Sequence, residues 1–153
     1  MSWLALAGLS AVFAGLTAVL AKVGIENVPS NLATLVRTVV VIVFSAGLVA
    51  SRGEFEKLRG LPGKTWLFLV LSGVATGLSW VCYFAALKKG PVSGVAPIDK
   101  LSFVIAMGLG FVVLREPVRP LTLVGAALIA AGAVLTVPAV QDALLAAAGR
   151  GGR

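Results

Sequence analysis

The chain alternates long apolar blocks with short polar punctuation. A helix rising 1.5 Å per residue needs about 20 apolar residues to cross a hydrocarbon core about 30 Å thick. Five blocks of about that length are legible, at about 2–21, 32–50, 66–87, 92–114 and 121–137. They are continuous runs, without the period-2 alternation of a transmembrane β-barrel. The pattern predicts an all-α membrane protein with five transmembrane helices. It forms one domain over about 1–140, followed by a short mobile tail over 141–153.

The polar stretches fit this reading. No Lys or Arg precedes the first apolar run and other spans follow it, so it reads as a retained helix and not a signal peptide. Lys22 closes it. Pro29 then marks a loop, and Ser30 or Asn31 can cap the second helix. The loop over 51–65 is the longest and most charged, with Arg52, Glu54, Glu56, Lys57, Arg59 and Lys64. Its Gly63-Lys64-Thr65 resembles the end of a phosphate loop, but Leu58 stands where the first glycine of that motif is required. In the third block, Gly73 and Gly77 form a GxxxG pair of the kind that lets membrane helices approach closely. Lys88-Lys89-Gly90-Pro91 and Arg115-Glu116-Pro117 are turns, and Pro138 ends the fifth block.

Charges inside the apolar blocks are the candidate chemistry. The run over 101–114 is too short to span alone, so the fourth helix takes in 92–98 as well. That places Asp99 and Lys100 roughly 12 Å inside the core. A charge at a helix centre costs roughly 2.5–3.5 kcal/mol on insertion scales, so such residues mark a function or a buried pair. Pro97 removes a backbone hydrogen bond just before them and kinks the helix there. Adjacent residues point about 100° apart on a helix, so Asp99 and Lys100 are expected to face different partners. Arg37 sits roughly 8 Å along the second helix and is a candidate partner for Asp99. Five spans also fix relative sidedness. Lys22, Arg37, Trp80, Tyr83, Asp99 and Lys100 all fall in the half of the membrane where the first helix ends. They are the expected lining of a shared polar pocket that takes a small-molecule substrate.

Composition removes competing classes. Of 153 residues, 59% are hydrophobic and 12% charged, against about 45–50% and about 25% in soluble domains. One cysteine, Cys82, and no histidine leave almost no raw material for a zinc site or a Cys/His or Ser/His catalytic centre, so neither enzyme activity nor a cofactor is expected. The net charge of +7 sits mostly at segment ends, as a bilayer demands, and does not point to nucleic acid. On one side lie Arg52, Lys57, Arg59, Lys64, Arg115 and Arg119; on the other lie Lys22, Lys88, Lys89, Arg150 and Arg153. That near balance sets no firm orientation by the positive-inside rule. It fits insertion in both orientations, and an antiparallel homodimer with the inverted architecture common in transporters.

Several motifs together resemble the EamA domain of the drug/metabolite transporter superfamily. They are Pro29-x-x-Leu32-x-x-x-x-Arg37, the run Trp80-Val81-Cys82-Tyr83-Phe84, Val95-Ala96-Pro97-Ile98-Asp99-Lys100-Leu101-Ser102, Leu114-Arg115-Glu116-Pro117, and Gly125-Ala126-Ala127-Leu128-Ile129-x-x-Gly132. The resemblance implies export or exchange of small metabolites without an ATP site, from a bacterial inner membrane. It also implies dimerisation, because most members join two such units in tandem. The family pattern usually has Gly before the Glu of the fourth motif; here Arg115 stands there. Small multidrug exporters of the superfamily use a carboxylate in their first helix, which this chain lacks, so Asp99 is the candidate for coupling. The alternative expectation is a non-transporting membrane subunit that packs with a partner.

Overall fold

The computed structural model describes residues 2–150. Among them every regular element is helical: α1 (Trp3–Gly24), α2 (Ser30–Ser51), α3 (Gly63–Lys89), α4 (Val92–Asp99), α5 (Leu101–Val113), α6 (Pro120–Leu135) and α7 (Pro138–Arg150), with a 3-10 helix over Glu54–Gly60. Four spans are long and apolar enough to cross a membrane: α1, α2, α3 and the joined α4–α5. α6 and α7 form a fifth candidate if taken together, bent by 84° at their junction. Large apolar side chains such as Phe13, Val43, Phe68 and Leu128 are two-thirds exposed or nearly so, as lipid-facing residues are in a protein without its bilayer.

The chain divides into two compact units, one ending at Lys89 and the other starting at Gly90. In the first, α3 packs on both α1 and α2, and the 3-10 helix packs on α2. Its buried side chains are Ala18, Ile25, Thr34, Phe84 and Leu87. Ser2 caps α1 by accepting a hydrogen bond from the Ala5 amide. α2 starts at Ser30, two residues before the expected 32: Pro29 occupies the cap, so neither Ser30 nor Asn31 serves as the capping side chain. Thr34 and Thr38 return their hydroxyls to the carbonyls of Ser30 and Thr34, which satisfies them without a partner helix. The Gly73/Gly77 face of α3, expected to be closely packed, is open: a Cβ at either glycine would meet nothing within 4 Å.

In the second unit α6 packs on α4, α5 and α7. The fourth span is interrupted one residue after Asp99, as Pro97 foretold. Proline has no N–H for the carbonyl of Ser93. The chain compensates by tightening, and the Lys100 amide is shared between the carbonyls of Ala96 and Pro97 at 3.2 and 3.1 Å. At the far end of α5, Arg115 adopts the left-handed conformation, φ +55°. The amides of Leu114 and Glu116 then both return to the Gly110 carbonyl at 3.1 and 3.2 Å. Gly110 is buried beneath the Glu116 carboxylate, whose Oε2 would lie 3.2 Å from a Cβ there. The motif therefore keeps the turn geometry that glycine usually provides, with Arg115 at the left-handed position.

The stretch expected to be a mobile tail from 141 is helical as far as Arg150, and residues 151–153 lie outside the described residues. Its Ala and Leu content favours helix once Pro138 has started it. Gln141 holds the corner by donating its side-chain amide to the Leu135 carbonyl at 2.9 Å, one of the carbonyls that the end of α6 leaves unpaired.

Candidate functional site

Arg37 is the centre of the first unit's site. It lies on α2, half-buried, with its guanidinium carbon 4.3 Å from the centre of the Trp80 ring and 5.6 Å from that of Phe84. Trp80 and Phe84 are one helical turn apart on α3, so they present adjacent rings to α2. Tyr83 meets Phe84 edge to face, with centroids 6.4 Å apart. The guanidinium thus lies over the Trp80 ring and near that of Phe84. Its N–H donors lie in its plane, where a carboxylate or phosphate can be taken bidentately. The sequence reading placed Arg37, Trp80 and Tyr83 in one pocket and missed Phe84. The signal available was the i, i+4 spacing from Trp80; it was masked because phenylalanine is unremarkable in an apolar helix.

Lys22 and Lys88 shape the same unit at the ends of α1 and α3. The Lys22 ammonium donates to the Leu87 carbonyl, and the Lys88 ammonium to the Val28 carbonyl at 2.9 Å. Both carbonyls lie near the ends of apolar segments, where an unpaired acceptor is costly. A cavity of about 380 Å³ opens beside them, lined by Lys22, Val23, Ile25, Glu26 and Lys88. The structure thus gives Lys22 a backbone partner at the mouth of the unit.

Asp99 and Lys100 lie in the second unit. The expectation that they face apart is overturned: Lys100 Nζ stands 3.2 Å from Asp99 Oδ2. The tight turn at Lys100 and the length of its side chain let the ammonium fold back onto its neighbour. It also lies 5.6 Å from the Phe103 ring. The pair is only partly exposed, with 41% of the Lys100 side chain and 31% of the Asp99 side chain accessible. Beside it runs an open, almost wholly apolar groove of about 430 Å³, bordered by Ala96, Pro97 and Lys100 on one side and by Leu128, Ile129 and Gly132 on the other. The structure therefore groups Arg37 with Trp80 in one unit and Asp99 with Lys100 in the other, and gives each a partner close by in sequence or on the adjacent helix.

An arginine over aromatic rings and an acid–base pair at a helix break stand out among largely lipid-facing helices. Comparison with known proteins agrees with that picture. A protein of Sinorhizobium sp described as an uncharacterized transporter in the cobO 3' region is 52% identical over 134 residues, which cover 88% of this chain and 95% of the relative. No solved structure matches the chain. The EamA-like transporter family model matches residues 1–137, from before α1 to beyond the end of α6, and the chain belongs to that family as a multi-pass membrane transporter.

Proposed function

We propose that the protein moves a small anionic metabolite across a bacterial inner membrane, as an antiparallel homodimer working by alternating access. The observation that carries this reading is the Arg37 guanidinium lying 4.3 Å from the Trp80 ring centre and 5.6 Å from that of Phe84 within an apolar span. A charge is placed so deep only where it serves a substrate or a partner, and stacking leaves its hydrogen-bonding edge for an anionic group. Trp80 and Tyr83 line the path, Lys22 stands at its mouth, and Lys100 meets a second anionic group. Asp99 trades its bond with Lys100 for a proton or cation during turnover. The open Gly73/Gly77 face of α3 supports docking of a second copy. No step calls for a cofactor or for enzyme chemistry.

The test is flux. The purified protein in proteoliposomes is challenged with a panel of small carboxylates and phosphate esters, and charge movement is followed on a solid-supported membrane. The reading predicts a current for at least one anion that Arg37→Gln abolishes and Arg37→Lys reduces. Anion currents indifferent to Arg37 would sink the site assignment. Assembly is tested separately in intact cells, with Cys82→Ala and one cysteine placed in the 51–65 loop. Labelling of about half the molecules by an impermeant thiol reagent is expected. Labelling of all or none removes the antiparallel homodimer and favours a subunit with an oppositely oriented partner.

A further inference from the structure

α7 starts where the family match ends, at residue 138, so nothing in the transporter unit accounts for it. It follows α6 through a bend of 84°. α6 has 16 residues, about 24 Å of rise, a few ångströms short of the usual core. α7's 13 residues measure about 20 Å, and at 84° to an upright α6 they add only about 2 Å of depth, so an upright α6 keeps its shortfall. Only a lean of α6 by about 20° toward α7, adding about 9 Å, would carry the pair across, and that geometry would take the far end of α7 steadily deeper. The corner is also fixed, since Gln141 and the Gln141 and Val140 amides all close back on the end of α6 and on Val137.

We infer that α7 is an interfacial helix, lying in the plane of the bilayer surface where α6 leaves the core. Its sequence has the matching asymmetry. Val140, Leu144 and Ala148 form one i, i+4 row, with Ala147 beside it, while Asp142 is about 160° away from Leu144. Leu144, on this row, is 52% exposed; Leu145, about 100° further round and about 60° from Asp142, is 72% exposed and lies off it. The occupant of this apolar row is lipid: α7 is continuous with a span whose own surface faces hydrocarbon, and its start is pinned to that span's end. Such a helix anchors α6 at a fixed depth, with the shortfall in length met by local thinning of the bilayer.

The experiment is a nitroxide scan of the full-length protein. In a Cys82→Ala background, single cysteines replace residues 139–149 in turn, each spin-labelled and reconstituted into phosphatidylcholine vesicles containing phosphatidylglycerol. Power saturation compares access to oxygen, which partitions into lipid, with access to a nickel chelate, which stays in water. The ratio is expected to oscillate with a period of about 3.6 residues, peaking at Leu144 and falling at Asp142, with the same mean depth at both ends of the helix. A steady deepening from 139 to 149 would show a re-entrant or crossing segment and overturn the inference. Uniform access to the nickel chelate, showing a helix held off the membrane, would overturn it equally. Neither outcome depends on transport.

Discussion

Arg115 offers a substitution that should stabilise the protein. It holds φ +55°, and the Glu116 amide reaches back to the Gly110 carbonyl because the chain turns left-handed there. For a residue with a Cβ, that conformation costs roughly 1–2 kcal/mol. Arg115→Gly removes the cost. Glycine gains freedom in the unfolded chain worth about 0.5–1 kcal/mol, which offsets part of the benefit. The net expectation is a gain of about 0.5–1 kcal/mol. For a chain of this length, that corresponds to about 1–4 °C in the midpoint of thermal unfolding in detergent. Charge must be separated from conformation, because Arg115 is also a cation near a membrane surface. Arg115→Ala is the control: it removes the same charge and keeps the Cβ. The reasoning requires Gly to exceed both Arg and Ala. If Ala and Gly raise the midpoint equally, charge removal is the cause and the strain argument fails. If Gly lowers it, the left-handed turn is not the native one.

Other expectations follow from single contacts. Phe84→Ala empties a site that is 3% exposed beneath Arg37, and should cost about 3 kcal/mol, read as a fall in the unfolding midpoint. Trp80→Leu keeps an apolar side chain but loses the stacking platform, so a smaller loss of about 0.5–2 kcal/mol is expected, along with weakened anion currents. Asp99→Asn keeps an amide oxygen that still accepts a hydrogen bond from the Lys100 ammonium, so loss of the carboxylate charge is expected to cost little stability. The variant should therefore elute and melt nearly as the parent does while transport is lost; a collapse of assembly would instead support a structural subunit. Gln141→Ala leaves the Leu135 carbonyl without its side-chain donor and should lower the midpoint by the equivalent of about 1 kcal/mol.

The spans were legible because hydropathy registers contact with lipid, and these helices bury little else. What escaped the sequence was whatever depends on hydrogen bonds at helix ends. α3 begins at Gly63 and runs to Lys89, beyond its apolar block, since lysine side chains reach back to carbonyls and let the helix continue into water. The charged loop after α2 looked shapeless, yet Glu54–Gly60 winds into a 3-10 helix after Gly53 turns left-handed at φ +64°. Pro97 announced the break at Asp99 correctly. The pairing of Asp99 with Lys100 was hidden, because ideal helical angles no longer hold once proline has tightened the turn. Arg37 and Trp80 could be grouped by depth alone, whereas Phe84 could not be told from its many lipid-facing counterparts.

The two lysine-to-carbonyl bonds of the first unit join residues 65 and 60 positions apart. During synthesis α1 and the loop after it leave the ribosome long before the end of α3. Until Leu87 and Lys88 emerge, Lys22 lacks its distant acceptor and the Val28 carbonyl its distant donor. The arrival of Lys88 supplies the donor that fastens the α1–α2 loop to the end of α3. The first unit is therefore completed only from the end of α3, and a chain ending before Leu87 would lack both latches.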